Sequence, residues 1–64
     1  MYGVHLAHKI GDLVRIKMDD IVGIITSFNT SAEPSIDRCW YVFMAEYGAL
    51  PFWEHELELI SEGR

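Results

Sequence analysis

Four side chains in this sequence offer the imidazole nitrogen or thiolate sulfur that zinc favours: His5, His8, Cys39 and His55. Zinc takes about four nitrogen or sulfur ligands in a tetrahedral array, commonly from two close pairs. Here His5 and His8 form one loose pair, while Cys39 and His55 stand alone. The plainer expectation has His5 and His8 on the surface of the N-terminal segment, Cys39 packed as a small hydrophobe and His55 exposed. On that reading there is no metal site and no cofactor. Glu54-His55-Glu56 sets a base between two acids, but neighbours on an extended chain point to opposite sides. No nucleophile stands beside a plausible base, and no Gly-rich stretch offers a phosphate loop, so the expectation is a protein that is not an enzyme.

The aromatic set Trp40, Tyr41, Phe43, Tyr47, Phe52 and Trp53 carries more information. One reading makes some of these rings a cage for a methylated ammonium group, assisted by nearby acids. The other makes them core and subunit interface, where aromatics are enriched. Half of the 64 residues are hydrophobic, which is more than a small domain encloses, and that surplus favours the interface. The residues expected to form it are Tyr41, Phe43, Phe52 and Trp53, and the expected partner is another protein or a second copy of the chain.

These residues need strands to position them. Arg38 to Ala45 (Arg-Cys-Trp-Tyr-Val-Phe-Met-Ala) is the longest apolar run, rich in aromatic and β-branched residues and bounded by turn formers. It reads as a central β-strand with Trp40, Val42 and Met44 on one side and Tyr41, Phe43 and Ala45 on the other. Before it, residues 13–18 alternate, placing Val14, Ile16 and Met18 inward and Arg15 and Lys17 outward. Asp19-Asp20 makes a turn into the strand 21–28, where Gly23 suggests a bulge or bend. Residues 29–37 are polar, contain Pro34 and form a flexible loop.

After the central strand, Gly48 sits where a hairpin requires φ > 0, and Ala49–Trp53 is a short edge strand because of Pro51. Residues 54–56 form a tight, 3₁₀-like turn. Leu57–Ile60 closes the sheet with Leu57 and Leu59 inward, 61–64 is a tail, and 1–10 is irregular or a short edge strand. No window sustains a 3.6-residue period.

Size and charge bound the rest. One domain spans 1–64, and so short a chain buries only about 60% of its unfolded surface, so its stability needs a supplement. With one cysteine, no intrachain disulfide supplies it. Self-association is the first expectation, and a reducing compartment is compatible. Ten acids face five Lys and Arg, for a net charge of −5, and the excess lies entirely in residues 33–64. Such a chain is repelled by phosphate backbones. A nucleic-acid role is therefore the alternative, with Lys9, Arg15 and Lys17 as its footprint. No apolar run approaches the length of a membrane-spanning helix, and Met1–Lys9 lacks the pattern of a signal peptide. The expectation is a cytoplasmic protein without a membrane partner.

Five features recur in a familiar order: Gly11-Asp12-Leu13-Val14-Arg15, Gly23-Ile24-Ile25, a variable polar loop, Trp40-Tyr41-Val42-Phe43-Met44 with a Gly turn, and Phe52-Trp53-Glu54-His55-Glu56-Leu57-Glu58-Leu59-Ile60. Over about residues 11–60 the chain resembles the SH3-like barrels. It is similar in pattern to the very short ones encoded by tailed bacteriophages, marine phages among them, many without an assigned role. The resemblance implies an all-β fold of five antiparallel strands in a small barrel with a 3₁₀ turn before the last strand. It also implies location in the host cytoplasm or the virion. It does not carry proline-peptide binding, because no Ala-Leu-Tyr-Asp-Tyr-type stretch precedes the long loop. The role it leaves is a small interaction module.

Overall fold

The computed structural model describes residues 8–30 and 37–63. The expectations for His5, for a strand within the first seven residues and for most of the polar loop fall outside the described residues. Those described are all-β, with five antiparallel strands in one sheet, a single 3₁₀ turn and no α-helix. The strands are β1 (Leu13–Ile16), β2 (Ile21–Phe28), β3 (Cys39–Met44), β4 (Gly48–Trp53) and β5 (Leu57–Ser61), with the 3₁₀ turn at Glu54–Glu56 between the last two.

The strand order is β4-β3-β2-β1-β5, so β4 and β5 are edges and the sheet is not closed. This corrects the expected central place of the 38–45 run. The middle strand is β2, whose first half pairs with β1 and whose second half pairs with β3. Gly23, Thr26 and Ser27 interrupt its apolar run, which is why it stands out less in the sequence than its neighbour.

Alternation fixes the two faces. Val14, Ile16, Ile25, Trp40, Val42, Met44 and Leu57 form the core, with Ile21 and Phe52 packed against it. Ring packing adds a T-shaped contact of Phe28 on Trp40, centroids 5.0 Å apart. The inward face of β3 is therefore the one bearing Trp40, Val42 and Met44.

One inward assignment fails, and another holds for the face but not for burial. Met18 is 86% exposed because β1 stops at Ile16 and residues 17–20 form the turn. Leu59 faces Val14 across the β1–β5 pair yet stays 42% exposed, since β5 is an edge with nothing beyond it.

Turn chemistry follows the sequence. Asp20 adopts φ 57°, a left-handed conformation Asp tolerates, and its N–H donates to the Ile16 carbonyl at 2.7 Å. Gly48 has φ 77°, as the three-residue hairpin loop requires.

Gly23, by contrast, lies in regular register opposite Val14, so it makes no bulge. A Cβ there would meet the Phe43 carbonyl oxygen and Val42 Cγ1 at 2.6 Å; the glycine is needed for close approach of β2 to β3. The irregularities in the ladder fall between Ile25 and Ser27 and between Leu13 and Val14.

Residues 61–63 are tied to the sheet. Ser61 belongs to β5, and the Gly63 N–H donates to Asp12 Oδ1 at 2.9 Å. Asp12, buried at 2% exposure, also accepts from the Lys9 N–H at 2.9 Å and from Lys9 Nζ at 3.2 Å. One carboxylate thus joins both ends of the described chain.

Candidate functional site

The first candidate is the outer face of the sheet. Opposed residues in an antiparallel ladder share a face, so the pairings Leu13↔Ile24, Ile24↔Phe43 and Phe43↔Ala49 draw one apolar row across β1, β2, β3 and β4. Ile24 is 46% and Phe43 49% exposed. Val22, exposed as well, lies on the same face beside this row, opposite Arg15. Tyr41 continues the face toward Ser27 and Pro51, and Trp53 follows opposite Cys39, both half-buried.

The charges beside this row are one cation and two acids, all engaged with one another. Arg15 and Glu58 are paired in register, with Arg15 Nε donating to Glu58 Oε1 at 2.8 Å and Nη2 reaching the same oxygen. Arg15 Nη1 also donates to Asp20 Oδ1 at 3.0 Å.

Of the four predicted interface residues, three therefore share the outer face: Tyr41, Phe43 and Trp53. Phe52 does not. It stands opposite Trp40 and packs against the core, because its position in β4 has the parity of the inward face. Sequence reading missed Leu13 and Ile24. The period of two through Ile24-Ile25 was the signal available, since Ile25 inward places Ile24 outward.

The second candidate lies on the inward side, at the end where the β1–β2 and β3–β4 turns meet. An open groove of about 490 Å³ is lined by Asp19, Ile21, Met44, Tyr47, Leu50 and Phe52.

The Glu-His-Glu stretch is consumed by structure. Glu54 Oε1 accepts from Trp40 Nε1 at 3.1 Å, and Glu56 Oε1 accepts from the Trp53 N–H at 2.8 Å. Asp37 takes the His55 N–H at 2.9 Å and contacts His55 Nδ1 at 2.7 Å. The hydrogen bond from the His55 backbone, with those from its ring and from the Arg38 N–H, outweighs burial and holds the Asp37 carboxyl below its ordinary value.

Cys39 is buried, and its Sγ lies 3.4 Å from Asn29 Nδ2. Among the described residues no three His, Cys, Asp or Glu side chains are grouped as metal ligands. The basic footprint is also largely engaged, for Lys9 pairs with Asp12 and Arg15 with Glu58 and Asp20. Among the described residues no helix is long and apolar enough to cross a membrane.

No family profile, curated protein or solved structure matches this chain. The likeness to phage-encoded barrels therefore rests on the quoted residues alone.

Proposed function

We propose that this chain is a small SH3-like barrel module, without catalytic activity, that works through protein contact and associates with a second copy of itself through its outer face. The observation that carries the reading is the cross-strand row Leu13–Ile24–Phe43–Ala49, apolar and half open to water at its centre. The strand count and the 3₁₀ turn before β5 support the barrel assignment. A second copy suits the face for an electrostatic reason. The chain carries a net −5, yet on this surface Glu58 and Asp20 are both bonded to Arg15, which leaves an excess of one acid there, so two copies meet with far less repulsion than the whole charge implies. It also supplies the apolar burial that so short a chain lacks.

The test is mass by light scattering across a concentration series. The expected species has twice the 7.4 kDa of one chain. An isologous contact uses each residue twice. Losing half a Phe side chain's burial costs about 1 kcal/mol per copy, so Phe43→Ser is expected to weaken the dimer by more than about tenfold. A monomer at the highest soluble concentration, or a Phe43→Ser variant that associates like the parent, would sink the proposal.

A further inference from the structure

We infer that the inward groove is a receptor for an alkylammonium side chain, a lysine or N-methylated lysine of a partner polypeptide. The groove combines the three surfaces such a group needs. Ile21, Met44 and Leu50 give the lining an apolar part for the methylene stem, Tyr47 and Phe52 add aromatic rings for the charged end, and Asp19 adds the counter-charge. A cation over an aromatic face is attracted by the ring's quadrupole, and an acid beside the rings adds to that attraction while repelling anionic ligands.

The charge argument selects this occupant over a plain apolar one. Arg15 takes Asp20, but Asp19, its neighbour in the turn, makes no ion pair among the described residues. Glu46, one residue before Tyr47 in the facing turn, is likewise without one. One acid without an ion pair among the described residues thus lines the groove, and a second is the chain neighbour of its lining residue Tyr47, on a chain already at −5. Neither ring is capped by another aromatic: the ring pair among the described residues is Phe28 on Trp40. Tyr47 is exposed and lies outside the core, held in the hairpin turn by its N–H on the Met44 carbonyl at 3.1 Å, so its ring is open to a ligand. The site is also separate from the outer face, and it stands whether or not the chain dimerises.

The experiment follows backbone amide shifts in the intact 64-residue chain during titration with short peptides. Three peptides share one sequence and carry at the central position lysine, trimethyl-lysine or norleucine, the last keeping the stem without the charge. The expected result is shifts at Leu50, Phe52 and Tyr47, with the two cationic peptides binding at least about threefold more tightly than the norleucine peptide.

Asp19→Asn is expected to reduce that preference about threefold. Tyr47→Leu, which removes a ring but not apolar area, should reduce it similarly while leaving the amide spectrum otherwise folded. Butyltrimethylammonium, which offers the charged end without a polypeptide, should bind more weakly than the trimethyl-lysine peptide. Equal binding of the norleucine peptide, shifts that map away from the groove, no shifts at all, or small-cation binding as tight as the peptide's would each overturn the assignment.

Discussion

Replacing Asp12 by Asn tests how the two ends of the described chain are held. The wild-type carboxylate accepts three hydrogen bonds: Gly63 N–H and Lys9 N–H at 2.9 Å each, and Lys9 Nζ at 3.2 Å. Asn keeps one acceptor oxygen and turns the other position into a donor, which faces the Lys9 N–H in one orientation and both the Gly63 N–H and the Lys9 ammonium in the other. One bond to a charged acceptor is lost outright, and a buried N–H is left facing a donor, at about 1–3 kcal/mol for the unsatisfied group. The expected loss is about 3 kcal/mol, much of the roughly 3–5 kcal/mol that so small a core supplies.

Urea denaturation at neutral pH reads it directly. The pH dependence adds a second readout. Burial alone would raise the Asp12 pKa; the bonds from Gly63 and Lys9 outweigh it and hold the carboxyl below 3.8. A depressed folded-state pKa contributes stability that is present above the unfolded value and lost as pH falls through the folded one. The gap between wild type and Asp12→Asn should therefore be widest at neutral pH and shrink below about pH 3.8. A variant within about 0.5 kcal/mol of wild type at neutral pH, the range of ordinary surface substitutions, would refute the clasp, as would a gap that widens in acid.

Two glycines predict opposite kinds of damage. Gly23→Ala drives a Cβ to within 2.6 Å of a backbone carbonyl and should cost about 2 kcal/mol or more. Gly48→Ala meets no atom within 4 Å and should cost only the left-handed backbone term, about 1–2 kcal/mol; thermal melts rank the two, and the reverse order would contradict the packing. Asp37→Ala removes the acceptor for the His55 and Arg38 N–H groups and should cost about 1 kcal/mol, with faster amide exchange at His55 and no change at Gly63. Because the Asp37 pKa is depressed, its contribution is present above 3.8 and fades as pH falls further.

The strands were legible because the chain alternates where one side meets water, and the turns because Asp20 and Gly48 sit at left-handed positions. The sheet order was not legible. A run such as Cys39–Met44 is apolar on both sides whether it lies in the middle of a sheet or one place from its edge. Nothing local says that β2 bonds to two neighbours over different halves of its length. Gly23 shows the same limit: a glycine in a strand signals either a bulge or a close approach, and only the position of Phe43 across the ladder decides.

The functional surfaces divide along that same line. Tyr41, Phe43 and Trp53 share a face by their parity within single strands, which a sequence displays. Leu13 and Ile24 join them only through register, which depends on where β1 and β2 begin to pair. Phe52 falls on the other side because the β3–β4 hairpin sets it opposite Trp40, and a loop one residue longer would send it outward. The aromatic surplus read as one surface is therefore two. The outer part is an apolar row flanked by the Arg15 ion pairs, the face proposed for a second copy. The inner part, with Tyr47, Phe52 and Asp19 around one groove, has the polarity for a cationic guest, and the register of one hairpin separates them.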